Sequence, residues 1–336
     1  MKAFEIQNTF GLDSLILTER PEPSPGFGQV LIKLRSVSLN YRDLMVVKGL
    51  YNPKLPLPRI PFSDGVGEVV AVGEGVTRVK SGDRVAGIFF QKWLCGELTE
   101  AKAQSALGGA IDGILAEYAV LDQQGVVHVP EHLTDEEAAA LPCAAVTAWN
   151  ALITSGGVKA GDTVLVQGTG GVSLFALQFA QLLGARVIAT SSSDEKLEKV
   201  RQLGATETIN YKQTPDWSKK VQELTAGIGV DYVVEVGGAG TLTKSLRAVR
   251  YGGQISLIGV LSGGSGEVST ASILMKNVRV QGIYVGSREI FEAMNKAIAL
   301  HKLRPVVDRV FPFHEAQEAL KYMESGAHFG KICIRF

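Results

Sequence analysis

The chain has 336 residues, of which 46% are apolar and 20% charged, with a mean hydropathy of +0.14. That is ample material for a packed interior and too much for one compact core, so a mostly disordered chain is excluded and two domains are expected. Lys and Arg number 34 and so do Asp and Glu, giving a net charge of zero, a balance that argues against nucleic acid or an anionic membrane as the main partner.

Residues 1 to about 125 alternate short apolar runs with Gly and Pro, as in Gln29–Leu34, Gly67–Gly73 and Asp83–Gly87. Short β-rich runs between turn residues predict a small β-barrel or sandwich-like domain. Phe89–Gly113 has no clear periodicity, and a connection of that length suggests a functional loop. Asp135–Ile153 reads as an Ala-rich helix, with Thr134 and Glu137 as its capping box. From about residue 160 strands and helices alternate: strand Thr163–Val166, helix Gly171–Leu183, strand Arg186–Thr190, helix Glu195–Leu203, then strands Tyr232–Val236 and Gln254–Ile258. This spacing predicts a parallel, doubly wound sheet. A helix pair and the strand Lys331–Ile334 close the sequence. Periodicity does not decide whether they extend the nucleotide sheet or return to the first domain.

Cys95, Cys143 and Cys333 are widely separated and form no CxxC, which suits a reducing compartment. Met1–Gln7 has no apolar stretch behind its charge, so no signal peptide is expected. Nor is there an apolar run of about eighteen residues to span a bilayer. The expectation is a soluble, cytoplasmic protein.

Gln167-Gly168-Thr169-Gly170-Gly171-Val172-Ser173 lies between a strand and a helix. Gly168 suits a tight turn, and Gly170 suits close approach of a pyrophosphate to the helix N-terminus. Ser173 replaces the third glycine of the dinucleotide fingerprint. The next strand ends at Ser191-Ser192-Ser193, where an NAD site usually has an acid for the ribose 2′-hydroxyl. Hydroxyls followed by Lys196 suit a 2′-phosphate instead, although a serine there also suits a helix cap. NADPH is therefore preferred over NADH.

Ser38–Asp43, Ser81–Val85, Leu141-Pro142-Cys143, Thr147-Ala148-Trp149, the glycine loop and Gly326–Lys331 together resemble a medium-chain dehydrogenase/reductase over essentially the whole chain. Asn40-Tyr41-Arg42-Asp43 and Ile209-Asn210-Tyr211 are most similar to the zinc-independent quinone-oxidoreductase branch. The resemblance implies a GroES-like β-barrel domain at 1–144, a Rossmann domain at 145–285, and residues 286–336 returning to the first. It further implies an active site in the interdomain cleft and a homodimer through about Arg279–Val285. Tyr211, Gly237, Gly259 and Lys331 join Gly168, Thr169, Gly170, Gly171, Val172, Ser191, Ser192 and Lys196 as implied cofactor contacts.

Zinc-using relatives hold the metal with a Cys, a His–Glu pair and a second Cys or Asp. The matching positions here are Asn40, Ser63 with Asp64, and Cys143, and a relay His is replaced by Met45. Only Cys143 is a good ligand, where about three are needed, and the four-cysteine structural site is reduced to Cys95. No zinc is expected, and Cys143 itself reads as a small buried hydrophobe. Catalysis then falls to Asn40, whose amide can donate to a developing oxyanion or to the nicotinamide, with Tyr41 as a second donor or wall. Asp43 is either catalytic or a partner of Arg42 or a backbone amide. Phe89, Phe90 and Trp93 either wall the substrate or bury their loop. The expected function is zinc-independent, NADPH-dependent hydride transfer to a quinone, enone or related carbonyl. A zinc-free NAD(P)-dependent alcohol or aldehyde dehydrogenase and a non-catalytic NADPH-binding sensor or structural protein are the alternatives.

Overall fold

A computed structural model describes the whole chain, Met1–Phe336, as two compact units. Unit 1 comprises Met1–Val146 and Gly286–Phe336, and unit 2 comprises Thr147–Val285. In chain order the first stretch contains β1 (Lys2–Ile6), β2 (Leu15–Glu19), β3 (Gln29–Ser38), α1 (Tyr41–Val47), β4 (Asp64–Val72), β5 (Arg84–Gly87), α2 (Glu100–Ala103), β6 (Tyr118–Asp122), β7 (Val126–His128) and α3 (Asp135–Ala139). Next come α4 (Val146–Trp149), β8 (Thr163–Gln167), α5 (Gly171–Leu182), β9 (Arg186–Ser191), α6 (Asp194–Gln202), β10 (Glu207–Asn210), α7 (Trp217–Leu224), β11 (Val230–Glu235), α8 (Ala239–Ala248), β12 (Val249–Leu257), α9 (Thr270–Met275) and β13 (Arg279–Gly282). The chain ends with α10 (Arg288–His301), β14 (Val307–Pro312), α11 (Ala316–Glu324) and β15 (Lys331–Arg335). None of the helices is long and apolar enough to cross a membrane.

Unit 1 is organised around β3. Its sheet runs β14-β15-β3-β4-β5-β7, with β6 also on β3. Register shifts after Leu31 and Leu34 bend β3, as bulges do. The bend divides one edge between β6, on Gln29–Lys33, and β15, on Ser36–Ser38, while β4 follows the other edge. Inward residues such as Val30, Ile32 and Val37 form a core with Leu44 and Val47 of α1 and Leu320 of α11. The terminal strand therefore returns to unit 1, lying between β14 and β3.

Unit 2 is a six-stranded parallel sheet in the order β10-β9-β8-β11-β12-β13. Counting from β8 this is the 3-2-1-4-5-6 order of a dinucleotide fold, with its topological switch between β8 and β11. The strands are continuously apolar because helices cover both faces: Val164, Leu165, Val187, Ile188, Val233, Val234 and Ile255 are all buried.

The Ala-rich run is not one regular helix. The Thr134 capping box is present, with Thr134 N–H donating to Glu137 Oε2 at 2.8 Å and Glu137 N–H to Thr134 Oγ1 at 3.3 Å. Beyond α3, however, Leu141–Ala145 and Asn150–Thr154 are π-helical on either side of α4. Pro142 explains the first departure, because it lacks an N–H and its ring crowds the carbonyl four residues back.

Candidate active site

In unit 1, β3 hands the chain to α1 at Asn40, an extended residue that caps the helix. Asn40 N–H donates to Asp43 Oδ2 at 2.8 Å and Asp43 N–H to Asn40 O at 2.8 Å, so the two residues clamp the first turn. β15 runs antiparallel to β3 with Cys333 opposite Ser38. Two residues further along that register, Lys331 comes opposite Asn40. Its buried Nζ donates to Asn40 Oδ1 and to Leu39 O, both at 2.6 Å. Asn40 Nδ2 is buried too, with no protein acceptor in hydrogen-bonding geometry, although the Asp64 carboxyl lies near enough to feel it.

Asp64 opens β4, paired with Ser38. Its Oδ1 accepts from Ser63 Oγ at 2.7 Å and its Oδ2 from Cys143 N–H at 2.9 Å. Burial pushes the Asp64 carboxyl up, and Lys331, Ser63, Asn40 and the Cys143 N–H pull it back. Asp43 is pushed up to about 7, chiefly by burial and then by the Asp64 charge, against the pull of Arg42, the Asn40 N–H and Lys331. Burial, with Asp64 and Asp43 nearby, also drives the Cys143 thiol well above its ordinary value. Cys143 is partly buried and is a poor source of thiolate.

These donors do not suit a catalytic zinc. No three His, Cys, Asp or Glu side chains come together to hold a metal ion. Both oxygens of Asp64 are engaged, Asn40 Oδ1 faces Lys331, and an ammonium at that point repels a dication.

The 89–113 loop supports this cluster. Phe89, Phe90 and Trp93 are buried, with Trp93 Nε1 donating to Gly96 O at 2.7 Å, so these aromatics pack the loop. Arg42 lies over the rings of Phe89 and Tyr51 at 4.8 and 5.2 Å, and its Nη1 donates to Leu107 O at 2.7 Å. Phe62, next to Ser63, has φ +72°, a region costly for a residue with a Cβ. Gly113 packs so closely against it that a Cβ would stand 2.2 Å from both Pro61 O and Phe62 O. Tyr41, by contrast, is 45% exposed.

In unit 2 the implied cofactor residues gather at the carboxyl ends of the parallel strands. Gly168 follows β8, Ser191 ends β9 and Ser192 follows it, Tyr211 follows β10, Gly237 follows β11, and Gly259 lies just beyond β12. Gly168 has φ +71°, and a Cβ there or on Gly170 would meet nothing within 4 Å. The loop is therefore open where a pyrophosphate would lie, at the N-terminus of the twelve-residue α5, whose free N–H groups and dipole favour an anion. Thr169 is buried beside that turn, and Gly171 and Val172 begin the helix. Ser173 is accommodated by donating its Oγ to Gln167 O at 2.6 Å.

Of the three serines, Ser193 caps α6, accepting from Lys196 N–H at 3.3 Å. Ser191 is buried, with Oγ accepting from Ser193 N–H at 3.3 Å. Ser192 is only partly buried. Tyr211 N–H donates to Ser191 O at 3.0 Å and its side chain is 41% exposed. Asp194 turns to Asn210 Nδ2 at 2.7 Å and Gln213 Nε2 at 2.8 Å. Lys331, by contrast, has its ammonium committed inside unit 1.

A further tie escaped sequence reasoning. Buried Glu235, the last residue of β11, accepts from Gly237 N–H at 2.8 Å, Gly238 N–H at 3.0 Å and Thr241 Oγ1 at 2.5 Å through Oε1. Through Oε2 it accepts from Gln167 Nε2 at 2.7 Å and from Ser245 Oγ. The loops after β8 and β11, on either side of the topological switch, are thus fixed to one carboxylate. An isolated Glu in an apolar strand pattern carried no signal beyond its being an unusual core residue.

Residues 171–300 match the zinc-binding dehydrogenase family, and residues 26–131 match the alcohol dehydrogenase GroES-like domain. A zinc-type alcohol dehydrogenase-like protein of Schizosaccharomyces pombe is 49% identical over 314 residues, 92% of this chain and 91% of its own. An acryloyl-coenzyme A reductase of Metallosphaera sedula is 30% identical, over 94% of this chain and 95% of its own. Among solved structures, an NAD-dependent alcohol dehydrogenase superposes with TM-score 0.92 at 36% identity, covering 100% of both chains. A mycobacterial protein complexed with NADPH superposes with TM-score 0.84 at 28% identity, again covering 100% of both. With a GroES-like domain, a Rossmann sheet and relatives aligned along nearly its full length, the chain belongs to the medium-chain dehydrogenase/reductase superfamily and is an alcohol dehydrogenase-like oxidoreductase.

Proposed function

We propose that this oxidoreductase is an NADPH-dependent reductase of quinones, enones or related conjugated carbonyls that works without a catalytic zinc. The observation that carries the reading is Asn40 in a zinc-ligand position, with its Oδ1 held by Lys331 and its buried Nδ2 unpartnered. Bound NADPH supplies a hydride at the nicotinamide. Residues 168–172 and the α5 N-terminus hold the pyrophosphate, while Ser192, Lys196 and Tyr211 face the 2′-phosphate. Asn40 Nδ2 donates to the oxygen on which charge develops, where a preorganised neutral donor is effective. A conjugated acceptor spreads that charge and needs less electrophilic help than a simple ketone. The acryloyl-coenzyme A reductase, whose name denotes a conjugated substrate, supports this class, and the NADPH complex of the mycobacterial neighbour supports the cofactor.

The names of other relatives favour a second reading, an NAD(P)-dependent alcohol or aldehyde dehydrogenase. Oxidation of NADPH and NADH measured against quinones, enones and aldehydes, and the reverse reaction with alcohols, separates the two. Turnover of alcohols with NAD alone, accompanied by stoichiometric zinc in elemental analysis, would overturn the proposal.

We also propose a homodimer through the exposed edge strand β13, beside which Leu274 and Met275 of α9 are 80% and 76% exposed. A monomeric mass in light scattering at micromolar concentration would refute it.

A further inference from the structure

We infer that Lys331 is a positioning residue that makes Asn40 an obligate hydrogen-bond donor to the bound substrate or nicotinamide. This rests on the proposed role of Asn40 and adds the reason for its orientation. An amide can present either its oxygen or its nitrogen to a ligand, and the two ends have nearly the same shape. An ammonium has three donors and no acceptor, so Lys331 Nζ, at 2.6 Å, can face only the Oδ1 end. Its other recorded bond, to Leu39 O at 2.6 Å, fixes the ammonium to the residue just before Asn40. The clamp between Asn40 N–H and Asp43 Oδ2 holds the backbone of the same residue. With Oδ1 held by Lys331, Nδ2 is the end turned the other way; it is buried beside the Asp64 carboxyl, with no acceptor in hydrogen-bonding geometry, and is the end a ligand would meet.

A positive charge on the oxygen end also polarises the amide, which strengthens Nδ2 as a donor. The sheet register places this charge. β15 brings Lys331 level with Asn40, two residues beyond the end of β3, so the cation belongs to the framework of unit 1. Asp64 and Asp43 face the same ammonium and lower the cost of burying it.

The test is a double-mutant cycle of Asn40→Ala and Lys331→Met, read as kcat with a reactive quinone and as NADPH dissociation constant by fluorescence titration. If Lys331 acts through Asn40, Lys331→Met lowers kcat tenfold or more, leaves the NADPH dissociation constant within threefold, and causes no further loss in the Asn40→Ala background. Equal losses in both backgrounds, or a normal kcat for Lys331→Met beside a slow Asn40→Ala, would overturn this inference alone. A normal kcat for Asn40→Ala would instead overturn the proposed function.

Should Lys331→Met fail to fold, Asn40→Asp decides the matter. A carboxylate keeps the helix cap and an acceptor for Lys331 but cannot donate. Its near-ultraviolet circular dichroism should match the parent's while kcat, read above pH 8 where the carboxyl is ionised, falls to the Asn40→Ala level; the added charge beside Asp43 and Asp64 should lower its melting temperature. A folded Asn40→Asp with parental kcat would show that residue 40 is only Lys331's acceptor, and the inference would fall.

Discussion

Asp43 should make unit 1 less stable as pH rises, and Asp43→Asn should remove that dependence. The carboxyl is buried and held at about 7 against an ordinary 3.8. Between those values the folded protein binds a proton that the unfolded chain has released, so stability falls with rising pH. The contribution is fully present below about pH 4 and is lost as pH passes 7. At 1.36 kcal/mol per pH unit the full loss is about 4 kcal/mol. Asparagine retains an oxygen to accept the Asn40 N–H bond while deleting the titration. The assay is urea unfolding of parent and variant in parallel from pH 4.5 to 8. The variant should gain on the parent by about 2–4 kcal/mol across that range, with most of the gain between pH 5 and 7.5. Asp64, also raised by burial, loses the neighbouring Asp43 charge in the variant and ionises more easily, which adds to the gain in the same direction. Two stability curves separated by a constant offset would refute the assignment of a neutral-range proton to Asp43.

Asn40→Ala should lower kcat/KM tenfold or more, about 1.4 kcal/mol of transition-state stabilisation at the least. Tyr41→Phe should cost less and Cys143→Ser little, all read by steady-state kinetics with NADPH. If Ser192 faces the 2′-phosphate as proposed, Ser192→Asp should weaken NADPH by about 1–3 kcal/mol relative to NADH, measured by fluorescence titration. Gly113→Ala drives a Cβ to 2.2 Å from Pro61 O and Phe62 O. It should destabilise unit 1 by about 1–3 kcal/mol in calorimetry, and the displaced Ser63–Asp64 segment should slow turnover.

The Rossmann half was legible because each βα unit carries its own local signals. The apolar strand, the glycine turn and the amphipathic helix lie within about thirty residues of each other. The two carboxylates and the lysine of unit 1 were not legible as a cluster. Asn40, Asp64 and Lys331 are brought together by the pairing of β15 and β4 with β3, and Cys143 by its N–H bond to Asp64, across separations that no local pattern spans. Phe89, Phe90 and Trp93 looked equally suited to lining a ligand site and to packing their loop, and their burial settles them as packing. The π-helical turns after Pro142 were hidden by the high helix propensity of the surrounding alanines. The serine run was ambiguous too, since Ser193 caps α6 as a structural serine does while Ser192 makes no such cap and is only partly buried.

The place of β15 in the chain has a consequence for the order of synthesis. Unit 2 is one continuous segment, and the chain enters and leaves it beside Val146 and Gly286, which stand in contact. Its sheet can therefore close before β15 has been made. Unit 1 cannot, because the strand between β14 and β3 is translated after everything else in the fold. Until Lys331 arrives, the edge of β3 at Ser36–Ser38 is an unpaired ladder and Asn40 has no cation behind it. A nascent chain arrested before β15 should thus bind dinucleotide yet transfer no hydride to substrate, and it should expose a strand edge of the kind chaperones recognise.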